Sequence, residues 1–509
     1  MRRIIALLGL GLLAGCTVGP NYRAPEVQAP PAFGEAPSEL AAQPQPSLKG
    51  WWEGYRDPEL DRLIAIALQE APDVKIAAAR VAEARAQVRE ARAGFFPTVD
   101  GTAGFNYEKF SKNAGIASLG SLFGGGGGSG RGSTSGGGVT IPGGGIKTYS
   151  VGFDASWEPD LFGGARRQVE SARAQEQAAE FSARDAQLSL IAEIADDYLQ
   201  LRTLQDRERI ARAEVDRQTR TLQIMSNTAK AGLLPQGDYV RQRAQLASAQ
   251  AAVGPIVAEG KAQMHGLATL IGRTPDSLIE ELTVPRPVLA APPLVPPGLP
   301  ADLLRRRPDV RAAERKLAAA TADIGVAVAD LFPKIQLTAM PSLLSTALGN
   351  LFTSDSLQVT AAAQASFPIL DFGRRTAQVS LKRAQADEAY RTYQKAVLGA
   401  LKDVEDALIR IRTEQQRNDA LKAGLADAQR SAQAVEARYT TGLVDFGEVL
   451  NARQAVLQDQ DQLAQSDGMI RRDLTSLYKA LGGGWEDLPL ADATPRETAK
   501  DYTVPKKPK

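Results

Sequence analysis

Cys16 and His265 are the only cysteine and the only histidine in the 509 residues, and their isolation removes most side-chain chemistry. A disulfide needs a second thiol, a zinc site needs several converging ligands, and a nucleophilic triad needs an imidazole beside its nucleophile. His265 lies in an Ala, Leu and Gly context that reads as a packed or solvated helix position. The tract GGGGGSGRGSTSGGG at 124–138 contains GxGxxG as a by-product of composition. No strand-to-helix junction follows it and Ile146 precedes Lys147, so the GK[ST] of a phosphate loop is missing. The net charge of +1, about −1 without Arg2 and Arg3, supplies no basic field for nucleic acid. These residue types predict a chain that is not an enzyme and takes no metal or dissociable cofactor.

The cysteine has a different chemistry available. Arg2 and Arg3 form a positive start, Ile4 to Ala14 an apolar run too short to span a bilayer, and Leu13-Ala14-Gly15-Cys16 a small-residue cleavage boundary. This arrangement resembles a bacterial lipobox, which implies a signal peptide over 1–15 and a covalent lipid on Cys16. Thr17, rather than an aspartate, resembles the outer-membrane default. Acyl chains add roughly 0.8 kcal/mol per buried methylene, so several chains anchor firmly.

The elements that would position such an anchor occur twice. APDVKIAAA (71–79) recurs as RPDVRAAER (307–315), and GFFPTVDGTA (94–103) as DLFPKIQLTA (330–339), both at an offset of 236. DLFGGARRQVE (160–170) matches LDFGRRTAQVS (370–380), KAGLLPQGDYV (230–240) matches TTGLVDFGEVL (440–450), and TLIG (269–272) matches KALG (479–482), all at 210. Two constant offsets mean an internal duplication with one insertion of 26 residues, 236 minus 210, between Pro97 and Phe162. The glycine tract, read over 111–147 as a mobile loop, lies there. The repeats are placed at 57–283 and 301–483, joined by a proline-rich linker at 284–300, preceded by an acylated extended segment at 16–56 and followed by a C-terminal tail at 484–509, which from Ala491 reads as disordered and weakly basic.

Each repeat predicts two strands and a helical hairpin. Val99, Ala103, Phe105 and Tyr107 alternate with Thr98, Asp100, Thr102, Asn106 and Glu108; Tyr149, Val151, Phe153, Ala155 and Trp157 alternate with Thr148, Ser150, Asp154, Ser156 and Glu158. The second repeat offers Ile335, Leu337 and Ala339, then Leu357, Val359, Ala361, Ala363, Ala365 and Phe367. Period two over about eleven residues suits a tilted membrane strand with lipid on one side and water on the other. The strands are placed at about 98–110, 148–158, 334–343 and 356–367, with Pro341 expected to end or kink the third. Four strands cannot close a membrane barrel, so several chains would have to build it.

The hairpins are placed at 163–272 and 373–482. Between Gly164 and Ala231 there is neither glycine nor proline, which at 1.5 Å per residue allows a helix of about 100 Å. Val397, Leu401, Val404, Leu408 and Ile411 recur in coiled-coil steps of 4, 3, 4 and 3. Gly232, Gly442, Gly272 and Gly482 fall where helices stop and φ turns positive.

With these features in place, the chain resembles the outer-membrane factor family, the TolC-like and OprM-like tunnels, particularly its lipoprotein branch. CTVGPNYRAP from Cys16, WWEGYRDPELDRLI from Trp51 and LLRRRPDVRAAERKLAAA from Leu303 carry the resemblance, with FP at 332–333, DFGRR from Asp371 and RYTTGL from Arg438. It implies a mixed α and β membrane protein forming a homotrimeric tunnel. Four strands per chain enter one twelve-stranded β-barrel set in outer-membrane lipid, above a periplasmic coiled-coil α-helical barrel. It implies passive conduction of drugs or other small solutes, driven by an inner-membrane resistance-nodulation-division pump through a periplasmic adaptor. The alternative is an outlet for proteins secreted by an ATP-binding-cassette exporter.

The same resemblance implies a gate past the hairpin turns. Counting six residues from Gly232 gives Asp238; six and nine from Gly442 give Glu448 and Asn451, the last an amide where the family has a carboxylate. Val444 stands in place of a basic partner, and Tyr439 is expected to donate its hydroxyl to Asp238. Gly232, Leu233, Gly442 and Leu443 are the implied adaptor contacts. As plain helix-start acids, Asp238 and Glu448 would equally favour the N-terminal dipole.

Overall fold

The computed structural model describes residues 17–26, 29–37, 48–109, 145–230, 235–284, 286, 289, 291–292 and 294–490. Cys16, Gly232, Leu233, the glycine tract to residue 144 and the tail beyond 490 lie outside them.

The order of elements repeats. Helices α1 (Pro58–Glu70) and α2 (Pro72–Ala93) lead into strands β1 (Thr98–Lys109) and β2 (Gly145–Trp157), then helices α3 (Gly164–Lys230) and α4 (Gln236–Leu270). The second set is α5 (Pro308–Ala329), β3 (Lys334–Ser345), β4 (Leu357–Ser366), α6 (Arg374–Thr440) and α7 (Phe446–Ala480). The long helices α3 and α6 have 67 residues each and the return helices 35 each. Carboxylates start the long helices by accepting backbone N–H groups that no helical carbonyl can reach. Ala165 and Arg166 donate to Asp160 at 3.2 and 3.0 Å, and Arg375 donates to Asp371 at 3.2 Å. Glycines stop the return helices: Gly272 and Gly482 have φ of 83° and 68°.

Compact units do not follow the repeats; each draws segments from both. One comprises Met1–Pro20, Arg89–Val169 and Ala322–Lys382, the other Asn21–Val88, Glu170–Thr321 and Arg383–Lys509. The first contains one antiparallel sheet in the order β1-β2-β3-β4. Its two hairpins share a register under the duplication: Val99↔Ala155 in the first becomes Ile335↔Ala365 in the second. Pro341 does not end β3, which continues to Ser345. Proline lacks an N–H, and the cost is local. Pairing with β2 skips Phe153 and Asp154, whereas Pro341↔Val359 is kept on the β4 side.

The second unit is centred on the residues of the WWEGYRDPELDRLI run. Trp51 stacks on Tyr478 with centroids 5.1 Å apart, and the buried Tyr55 hydroxyl donates to the Arg471 carbonyl at 2.7 Å. Asp57 caps α1 by accepting from Glu59 N at 2.9 Å, accepts from the Tyr198 hydroxyl at 2.5 Å and pairs with Arg286 at 3.3 Å. Around this node pack Ile191, Ile194 and Leu201 of α3 with Val397, Val404, Leu408 and Ile411 of the α6 seam. Arg307 of the RRPDVRAAE run joins Asp309 and Asp403, and donates to the Ala480 carbonyl at the end of α7. The chain after Gly483 is packed rather than free as far as residue 490: Gln187 donates to the Pro489 carbonyl at 3.0 Å, and Trp485 donates to Gly482 O at 2.9 Å.

Two carboxylates in this unit are held out of water. Burial, then Asp196 and Glu193, pushes the Asp197 carboxyl up to about 6 against the pull of Arg472. Burial likewise raises Asp473 to about 6, with Arg410 and Arg472 opposing and Glu414 and Asp196 adding. A carboxyl raised above its unfolded value of 3.8 leaves the fold unburdened below that pH and destabilises it as the pH climbs towards 6. Asp473→Asn is therefore expected to melt at a higher temperature than the parent at pH 7.5, with the difference shrinking towards zero near pH 4. Thermal scans at both pH values check this; an equal difference at the two would contradict it.

Candidate functional site

Two regions could act on a solute or a membrane. In the sheet, register fixes which side chains share a face. Phe105↔Tyr149, Ala103↔Val151, Val151↔Leu343, Leu343↔Leu357 and Leu337↔Ala363 carry an apolar face across all four strands. Asp100↔Asp154, Ser156↔Thr338 and Gln336↔Gln364 carry the polar one, on which Gln336 Nε2 donates to Ser156 Oγ at 3.2 Å. The apolar face is uncovered: Phe105 is 60% exposed, Phe153 61% and Val359 64%. So large an apolar surface on a folded chain marks a contact with lipid or partner. No described helix is long and apolar enough to cross a membrane.

The second region is the turn between α6 and α7. Gly442, at φ 75°, ends α6: its N–H donates to Tyr439 O and that of Leu443 to Arg438 O, both at 2.9 Å. Asp445 starts α7, accepting from Glu448 N at 3.1 Å. Leu443 projects into solvent at 70% exposure, while Glu448 and Asn451 are exposed on the first turns of α7. Beneath the turn Met225, Phe446 and Val449 are buried, with Tyr239, Val435, Tyr439 and Leu450 packed around them. This small cluster holds α3, α4, α6 and α7 together where side chains would otherwise fray.

The expected hydrogen bond from Tyr439 to Asp238 is not formed. The Tyr439 ring packs on Phe446, centroids 5.6 Å apart at 54°, and Asp238 pairs instead with Arg241 at 3.7 Å. Arg241 lies three residues along the same helix, where side chains of a helix face one another. Sequence reasoning also missed Gln242, which is fully buried and donates through Nε2 to the Gln218 carbonyl at 3.2 Å and to its side-chain oxygen. Gln218 in turn donates to Glu214, which holds Arg217. A polar residue at an inward position of an Ala and Gln helix was the only available signal. Further along the hairpins Glu214, Arg217, Glu436 and Arg453 line a cavity of about 640 Å³ with Ile210 and Leu457. Among the described residues, no three His, Cys, Asp or Glu side chains are grouped to hold a metal ion.

A duplicated chain with an open membrane sheet and two helical hairpins of identical length defines a subunit of an outer-membrane channel. The chain belongs to the outer membrane efflux protein family, which matches residues 63–273 and 299–483. It is similar to the pyoverdine export outer membrane protein OpmQ of Pseudomonas aeruginosa, 30% identical over 439 residues covering 86% of this chain and 88% of the relative. It resembles the solvent efflux pump outer membrane protein SrpC of Pseudomonas putida equally, at 30% over 94% of this chain and 98% of that one. Among solved structures, the outer-membrane channel OprN shares 34% identity at a TM-score of 0.81, covering 92% of this chain and all of that chain. The protein is thus an efflux channel of the outer membrane.

The faces of the sheet predict opposite tolerance to charge. Phe153→Arg places a cation on the apolar face at a cost of about 2 to 4 kcal/mol near the bilayer midplane, whereas Asp154→Arg should be close to neutral. Chemical unfolding of the two variants in lipid vesicles measures this, and equal losses would overturn the face assignment.

Proposed function

We propose that three copies of this chain surround one axis and conduct drugs or other small solutes passively from the periplasm to the exterior. In this reading each copy supplies four strands to a twelve-stranded barrel and its helices to a periplasmic tunnel. The observation that carries it is the uncovered apolar face running across all four strands with a polar face behind it. Such a sheet is stable in a bilayer only when its polar face meets water and its free edges are paired, which a closed ring of copies provides. Cys16 carries a covalent lipid that holds the assembly to the membrane beside the barrel. The family's tripartite organisation supplies the partners: a periplasmic adaptor engaging the hairpin turns around Leu443, and an inner-membrane resistance-nodulation-division pump providing the energy. Relatives named for pyoverdine export and solvent efflux support small molecules as cargo.

Glu448, repeated by symmetry, stands at the entrance of this path and favours cations there. Deleting the gene should raise susceptibility to several lipophilic compounds while leaving the exported-protein profile unchanged. In a strain restored with Glu448→Gln, channels in planar bilayers should lose part of their cation selectivity at unchanged assembly. Loss of exported proteins with unaltered susceptibility would instead identify a protein-secretion outlet.

A further inference from the structure

The four strands carry three cationic side chains: Lys109 at the end of β1, Lys147 near the start of β2 and Lys334 at the start of β3. Their surroundings differ. Lys334 lies at the end of the sheet joined to the helices, on the polar face with Gln336, where Asp330 at 3.0 Å and Glu158 at 3.8 Å hold it. Lys109 and Lys147 lie at the turn end. Both are exposed, and among the described residues neither meets a carboxylate.

Register puts these two lysines on the apolar face. Lys147 is opposite Tyr107 and Lys109 opposite Gly145, so both share the side of Phe105, Tyr149 and Val151 and are diagonal neighbours about 7 to 8 Å apart. Glu108, beside Lys109 in the chain, points to the other face. Two like charges so close repel each other until an anion comes between them. Below them the face turns aromatic and then aliphatic: the Phe105 and Tyr149 rings pack at 5.1 Å, Tyr107 is 52% exposed, and Val151 and Leu343 follow. At the helix end of the same face stand Val99, Trp157, Ile335 and Ala365, with no cation among them.

Strand geometry gives the depth. Lys147 is six residues from Phe153, the position taken near the bilayer midplane, which at about 3.4 Å per residue and a tilt of about 40° is about 15 Å along the membrane normal. A hydrocarbon core about 30 Å thick ends there. Lys147 therefore reaches the headgroup boundary, and Lys109, level with Gly145, stands two residues further out.

We infer that the turn end of the apolar face binds the phosphorylated glycolipid of the outer leaflet, lipopolysaccharide. Lys109 and Lys147 converge on a phosphate, while Tyr107, Tyr149 and Phe105 meet the sugars and the heads of the acyl chains. This rests on the reading above, in which the helices are periplasmic and the turn ends of the strands face outward. Charge complementarity selects the occupant. Acyl chains alone would be served by the apolar face without lysines, and a zwitterionic phospholipid brings its own ammonium to its phosphate. A phosphate monoester on a sugar carries close to two negative charges and no cation, which two unpaired ammonium groups match.

Vesicles of phosphatidylcholine, alone or with purified lipopolysaccharide and with divalent cations chelated, test this on the full chain. Lipopolysaccharide should raise the temperature at which the oligomer dissociates on native gels, and Lys109→Gln with Lys147→Gln should lose at least half of that rise. Lys109→Arg with Lys147→Arg should keep it, because the charges remain. Lys334→Gln, on the other face, should keep it too. Lipopolysaccharide stripped of its phosphates should raise the parent no more than the intact lipid raises the glutamine variant. An equal rise in the parent and the glutamine variant overturns the surface. A rise as large with phosphatidylglycerol in place of lipopolysaccharide overturns the choice of occupant. A parent chain that forms no oligomer in any of these vesicles overturns instead the reading on which the inference rests.

Discussion

Hydrocarbon offers no hydrogen bonds, and that single fact governs the membrane half of this protein. Every N–H and C=O that a strand carries into lipid must find a partner within the structure, at a cost of several kcal/mol for each that does not. In the order β1-β2-β3-β4 the inner strands are paired on both sides and the outer two on one only. The sheet therefore describes a fraction of a barrel. The apolar face across Phe105, Val151, Leu343 and Leu357 suits lipid, and the polar face behind it suits water. Closure by copies of the same chain satisfies all three demands with one interface. The same constraint explains why Pro341 is tolerated, since its missing N–H disturbs one ladder over two residues while the other stays intact.

The helical half obeys a different economy, because its backbone is satisfied within each helix and only side chains decide packing. Long helices of 67 residues need periodic anchoring, and it is supplied from outside them. The run from Trp51 to Asp57 inserts two indoles, a buried tyrosine and a capping carboxylate against α3 and α7. The run from Arg305 contributes Arg307, which ties Asp309 and Asp403 to the last carbonyl of α7, and Arg311, which lies over the Phe181 ring at 4.0 Å. At the hairpin turns the anchoring shrinks to the cluster of Met225, Phe446 and Val449 and to glutamines that bond one another. A region held by few apolar contacts is the one most readily rearranged.

Much of this was legible in the sequence, and for identifiable reasons. Alternation at period two places Val151 and Phe153 on one face whatever the fold, and constant offsets between repeats require equal elements, as found to the residue in α3 and α6. Glycines at 272, 442 and 482 announced positive φ. What escaped was set by distance in space rather than along the chain. The choice of Phe446 over Asp238 as the partner of Tyr439 depends on how four helices converge. The burial of Gln242, the packing of residues 484–490 and the interleaving of the two compact units leave no periodic trace. The FP and FG pairs, too short to carry a resemblance alone, prove to hold the stacked rings of Phe162 and Phe332.

Amide hydrogen exchange tests most directly whether the open edges of this sheet are closed in the membrane. In outer-membrane vesicles, the N–H groups of β1 and β4 that point away from β2 and β3 should exchange as slowly as those in the middle of the sheet. Fast exchange along those two edges, with β2 and β3 still protected, would show a sheet that remains open and would contradict the account.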